Sequence, residues 1–246
     1  MWFGSFDPFQ VKGDQKKTML NSKSLLIAGV MLVAASSNAT FFDDANGDQG
    51  PVNGGGAGFP HLDIDSVTVT NTASTITFDF VFTGDIAATN WGKYGVFIRD
   101  LDAAFLDTNT SNNGWTRNGT LLGGSSAWIG SWVDGGGGSQ NWTYNGSWNT
   151  STNGSVVLGQ FSTSITANLA DLGLTFGDTI VFDAVSTAGG NNDTITDSLT
   201  GATPDEWNTN VQMEGLLYST DPVPEPATMA ILAGAAGLAA LKRRKK

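Results

Sequence analysis

Thr75-Ile76-Thr77-Phe78-Asp79-Phe80-Val81-Phe82 alternates without a break. Ile76, Phe78, Phe80 and Phe82 point one way; Thr77, Asp79 and Val81 point the other. Apolar residues at every second position mark a half-buried β-strand. Working outward, Val67 and Val69 form a shorter strand before it, with Asn71-Thr72-Ala73-Ser74 as the turn. Tyr94, Val96 and Ile98 alternate again. Further strands are read at Trp128–Val133, Trp142–Tyr144, Ser155–Leu158, Gln160–Ile165, Thr179–Ser186 and Asn210–Leu217. Gly135 to Gly138 stop the first of these, and Ala167–Gly173 is the one helix-like turn. Short strands separated by turn signals at roughly ten-residue spacing predict an all-β antiparallel sandwich over residues 40–220. There is no strand–helix–strand alternation, so a Rossmann-type site is excluded, and no fixed-period repeat favours a β-helix.

The two ends of the chain differ from this middle. Residues 1–39 read as leader and signal peptide. Lys23 supplies the charge, Leu25 to Ala35 the apolar segment, and Ser37-Asn38-Ala39 a small-x-small cleavage site. Cleavage is expected after Ala39. Either Met19 is the true start or residues 1–18 lengthen the charged region. At the other end, Val223-Pro224-Glu225-Pro226 precedes an uncharged apolar run over 227–241, and Lys242-Arg243-Arg244-Lys245-Lys246 closes the chain. The prolines block helix before the run. The run, 15 residues long, spans roughly 22 Å as a helix against a hydrocarbon core of roughly 30 Å. The terminal cations set its membrane orientation.

Of the 12 Lys and Arg, four precede residue 40 and five end the chain. Only Lys93, Arg99 and Arg117 lie between, against 20 of the 23 acids. Such a domain repels a phosphate backbone, so no nucleic-acid partner is expected. Divalent cations and neutral ligands are its natural company. There is no cysteine, hence no disulfide and no thiolate site.

Three groups of residues could carry function. Asp43-Asp44-Ala45-Asn46-Gly47-Asp48-Gln49-Gly50 offers alternating oxygens at Asp44, Asn46 and Asp48, which suits Ca²⁺. It is not an EF-hand, because Gln49 stands where the loop glycine belongs and no twelfth-position Glu follows. The plain alternative is a solvated acidic loop. The second group is tryptophan. An indole offers a flat apolar face with a polar edge, which fits the C–H face of a pyranose. Trp128 and Trp132 share one strand face and read as inward. Trp115, Trp142 and Trp148 lie among Asn, Gly, Ser and Thr and read as exposed loop residues. With Arg117 they are the candidate ligand-binding residues, and Asn112–Arg117 is the expected ligand-facing loop; core packing is the alternative. The third group, for catalysis, is nearly empty. A single His (His61, read as a surface residue) and no Cys leave no nucleophile–base constellation, so no enzyme is expected. A carboxylate pair of glycosidase type is not singled out by the sequence.

Two family resemblances add to this reading. Pro224-Glu225-Pro226, the short apolar run and the basic terminus together resemble the PEP-CTERM sorting tail of exported bacterial proteins, also called the ice-binding protein C-terminal domain. That resemblance implies transient membrane insertion, cleavage by an exosortase-type membrane protease near Pro224-Glu225-Pro226, and delivery to the cell surface or extracellular matrix. Ice binding itself would call for regular Thr arrays, and Thr68/Thr70 and Thr75/Thr77 are few. Asp44 to Pro51, Pro60-His61-Leu62-Asp63-Ile64, Trp91 to Ile98, Leu169 to Leu174, and Phe182 to Gly190 with Asp193 and Asp197-Ser198-Leu199 resemble glucodextranase C-terminal and DOMON-like domains. This second resemblance implies a single jelly-roll-like sandwich, often Ca²⁺-stabilised, that binds sugars or haem. By motif it makes Asp44, Asp48 and Asp63 metal candidates. Haem is disfavoured by the shortage of His and Met. The expected whole is one such sandwich between an N-terminal signal helix and a C-terminal transmembrane helix, with polysaccharide as partner. The rival is a matrix or biofilm protein without a specific ligand.

Overall fold

In the computed structural model, residues 38–52, 58–150, 153–190, 193–204 and 206–221 are described. Residues 1–37 of the leader and signal, the transmembrane segment and Pro224-Glu225-Pro226 fall outside them, whereas Asn38 and Ala39, placed before the expected cleavage point, begin the first strand. Among the described residues no helix is long and apolar enough to cross a membrane.

The alternating stretch forms β3 (Thr75–Phe82) at the centre of a five-stranded antiparallel sheet. It is flanked on one side by β2 (Ile64–Asn71) and β1 (Asn38–Asp43). On the other side lie β10 (Ser162–Asn168) and β9 (Ser155–Leu158). Ile76, Phe78 and Phe80 are fully buried, as the alternation requires, while Val81 on the opposite face is 40% exposed.

The second sheet has β4 (Lys93–Asp100) and β11 (Thr179–Thr187) at its centre. β6 (Ala127–Trp132), β7 (Gly138–Tyr144) and β8 (Trp148–Thr150) extend it on one side. On the other side β12 (Ile195–Ser198) and β14 (Leu216–Ser219) pair with different parts of β11. A parallel pair, β5 (Gly119–Leu121) with β13 (Val211–Met213), stands apart from both sheets. The molecule is thus an all-β sandwich, antiparallel in both main sheets.

The centre of the larger sheet, at β4, β6 and β11, is buried on both faces. Tyr94, Val96, Ile98, Ile129, Ile180, Phe182 and Ala184 face the first sheet in the main core. Phe97, Trp128, Val181, Val185 and Ile195 face the other way, into a second core with Leu121 of β5 and Val211 and Met213 of β13. That is why β11 (Thr-Ile-Val-Phe-Asp-Ala-Val-Ser-Thr) is buried at nearly every position instead of at every second one.

This second core corrects the tryptophan reading. Trp128 is fully buried, but on the face turned away from the inter-sheet core. Its ring lies over Gly95 of β4, where any Cβ would overlap it, and stands edge-on to Phe97 at 4.7 Å. Trp142 belongs to β7 and Trp148 to β8. Both are half-buried against the same cluster instead of standing in open loops. His61 is also corrected. It is only 6% exposed, wedged edge-on against Trp91 at 4.5 Å, with Phe59 at 5.9 Å. Its Nε2 has no partner, and burial pushes its pKa down. Proximity to proline suggested a surface site; packing against Trp91, distant in sequence, decided otherwise.

Candidate functional site

Two sites emerge, an acidic cluster at one edge of the sandwich and a cleft on the outer face of the larger sheet.

The cluster forms where the loop after β1 meets β12. The described loop residues turn at Gly47, whose φ of 82° a side chain would strain. Asp44 and Asp48 thereby come together with Asp197 of β12, with one ligand oxygen from each lying within 4.8 Å of the others. Asp197 is fixed from both sides: Oδ2 accepts from the Ile64 amide at 2.7 Å and Oδ1 from the Ser198 amide at 2.9 Å. Asp63 sits beside them and braces the loop. Its carboxylate accepts from the Gly47 amide at 3.0 and 3.1 Å, and Oδ2 accepts from the Thr83 hydroxyl at 2.6 Å. Asn46 is exposed at the turn, outside the group of three carboxylates. Asp44 and Asp48 are therefore brought together as expected, Asp63 supports the loop, and Asp197 joins from across the fold.

The electrostatics of this cluster are unfavourable as it stands. Burial, followed by the charges of Asp44, Asp48 and Asp63, pushes the Asp197 carboxyl up to about 9. Burial raises Asp44 to about 7, and Asp48, Asp63 and Asp43 add to the effect. Asp48 is raised for the same reasons. Asp44 Oδ2 and Asp48 Oδ1 are buried and have no hydrogen-bond partner. No Lys or Arg contributes to these shifts. Converging carboxylate oxygens with unused lone pairs are the donor set that a hard divalent cation takes. The residues present fit Ca²⁺.

The cleft is held open by glycine. Trp115 lies on Gly130 of β6, where a Cβ would overlap its indole, and its Nε1 donates to Gln140 Oε1 at 3.1 Å. The Arg117 guanidinium stands 5.4 Å from the Trp115 ring centroid, and the Trp132 ring lies 6.2 Å from that of Trp115. With Lys93 and Asp134 these residues line an open cleft of about 420 Å³. Lys93 pairs with Asp134 across it. Asn112 and Asn113 do not reach the cleft; both are fully buried and brace the loop. The Asn113 side-chain Oδ1 accepts from the Trp115 and Arg117 amides at 3.2 and 2.9 Å.

Trp115 and Arg117 are thus brought together, as the sequence suggested. Trp142 and Trp148 are not among the lining residues. Trp142 packs behind Gly114, and Trp148 Nε1 donates to Asp107 Oδ2 at 2.7 Å. Trp132 of β6, read as inward, instead borders the cleft half-buried on the outer face, and Lys93 of β4 and Gln140 of β7 were not singled out. Their only shared signal is cross-strand register: Lys93 lies opposite Trp132, and Gln140 opposite Gly130.

Adding a single methyl group at Gly130 should disturb this arrangement. Gly130→Ala is expected to cost about 1–3 kcal/mol through overpacking, read as a lower urea midpoint. An unchanged midpoint would mean that the Trp115 ring gives way freely.

The comparisons bear on the tail. Residues 222–246 match the PEP-CTERM protein-sorting motif. That motif implies export, processing by an exosortase (a membrane enzyme) and sorting to the cell surface or extracellular space. No curated protein matches the chain. A solved structure from work on pH-induced modulation of Streptococcus parasanguinis adhesion by Fap1 fimbriae is similar over 74% of this chain and 88% of its own. Its identity is 12% and its TM-score 0.25, which is too low to carry an argument.

Proposed function

We propose that the sorted protein is a non-catalytic, carbohydrate-binding sandwich stabilised by Ca²⁺, acting at the cell surface or in the extracellular matrix after a transient inner-membrane stage. The kinship of its sandwich with jelly-roll-like DOMON and glucodextranase C-terminal domains is part of this proposal. The observation that carries it is the cleft itself. Two indoles, Trp115 and Trp132, border a space of about 420 Å³, with the side-chain amide of Gln140, Lys93 and Arg117 around them. Apolar faces beside convergent polar groups suit sugar rings and their hydroxyls. The cation belongs at Asp44, Asp48 and Asp197, where it would neutralise repelling carboxylates and tie the N-terminal loop to β12. Asp44, Asp48 and Asp197 are raised together at one edge of the fold, an arrangement that supports the holding of a cation.

The test is binding of the purified chain to extracellular polysaccharide in the presence of Ca²⁺. Trp132→Ala is expected to weaken it at least tenfold, since a buried aromatic at the centre of a site carries a large share of its affinity. Trp148→Ala, outside the cleft with its indole bonded to Asp107, should change stability but not affinity. Equal binding by all three proteins, or none by any, would favour the second reading, a matrix protein without a specific ligand.

A further inference from the structure

Between residues 40 and 224 the chain has three cations, Lys93, Arg99 and Arg117, among 20 acids. Two of the three line the same cleft, together with Trp115 and Trp132. We infer that the cleft takes a sugar bearing a carboxylate, of uronic-acid type, with Lys93 and Arg117 holding the acid group and the indoles holding the ring. This rests on the carbohydrate reading of the cleft and names the class of sugar.

The two cations differ in what they have to spare. Lys93 is engaged by Asp134, but that partner is half exposed while the lysine is not (51% against 14%). A salt bridge with one end in water contributes little, so a ligand carboxylate can replace Asp134 without much loss. Arg117 is 5% exposed. One of its terminal nitrogens donates to the Gly190 carbonyl, and its Nε is buried without a partner. Asp193 is the acid whose charge it feels. Arg117 still lines the cleft, and a planar guanidinium is matched to a carboxylate better than to a lone hydroxyl. The rest of the domain is acidic and repels an anionic chain at long range. That repulsion is screened over about 8 Å at physiological ionic strength, whereas contact with the two cations is not.

The arrangement also makes Asp134 a stand-in for the ligand's acid group. Removing its charge should therefore help an acidic sugar and leave a neutral one unaffected.

The experiment compares one oligosaccharide in two forms, oligogalacturonate and its methyl ester, titrated calorimetrically into the full-length chain. The free acid is expected to bind at least tenfold more tightly than the ester. Lys93→Gln should abolish most of that preference, and Asp134→Asn should strengthen free-acid binding roughly twofold to fivefold without changing ester binding. Both variants sit at the cleft rim and leave the two cores intact. Equal binding of acid and ester would overturn the inference while leaving the carbohydrate reading standing. Binding of neither would overturn both. An acid preference that survives Lys93→Gln and ignores Asp134→Asn would place the anion elsewhere and also defeat it.

Discussion

Ca²⁺ added to the metal-free protein at pH 8 is expected to raise the melting temperature by about 5–10 °C, and at pH 5 to do much less. A ligand at 100 times its dissociation constant contributes about 2.7 kcal/mol, and each kcal/mol moves a domain of this size by roughly 2–4 °C. The pH dependence follows from the cluster. Asp44 and Asp197 titrate near 7 and 9 in the fold, against 3.8 as their ordinary value. The fully buried Asp183 is likewise raised to about 7. For a carboxyl raised by folding, the folded state holds more protons than the unfolded one between those values. The contribution of these carboxyls is therefore complete below pH 3.8, is lost as pH rises from there through about 7 for Asp44 and Asp183 and about 9 for Asp197, and is level above those values. The metal-free protein should melt lower at pH 8 than at pH 5, and Ca²⁺ should reverse that order by binding the ionised carboxylates. Asp197→Asn separates the causes. Its amide oxygen can still accept from Ile64; the Ser198 contact is given up, but the larger cost of protonating or burying a carboxyl is removed with it. That variant should be more stable than the parent at pH 8 without metal and respond weakly to Ca²⁺. A melting temperature at pH 8 indifferent to Ca²⁺ in the parent would remove the metal from the proposal.

The second large effect concerns the outer core. Trp128→Ala is expected to destabilise the domain by about 3–5 kcal/mol, the range for deleting a buried large aromatic, lowering the melting temperature by roughly 10 °C. Its ring touches Phe97 and Trp115 and lies on Gly95. Its Nε1 is buried and unpartnered, so the loss is one of packing, with no hydrogen bond to replace. Because Trp115 leans on it at 5.8 Å, ligand binding should weaken as well. A cost below 1 kcal/mol would show that the face away from the first sheet is not a true core.

What the sequence determined by itself was local. The two-residue period of Thr75–Phe82 fixed a half-buried strand and the face it buries, because alternation is a property of the extended backbone. The same holds for the turn at Asn71–Ser74, for Ile180, Phe182 and Ala184, and for the tail motif, whose features are contiguous. Asp44 and Asp48 were legible as a pair because one glycine turn is enough to bring them together. The tertiary structure decided everything that depends on strands meeting. Asp197 completes the acidic cluster from a strand roughly 150 residues further on. Lys93, Trp132 and Gln140 reach the cleft through register alone. Trp128 faces a second core because β5 and β13 cover the outer face of a sheet whose alternation would otherwise have turned it to water. Side-chain period tells which residues share a face of a strand. Which face is dry depends on what the rest of the chain lays over it.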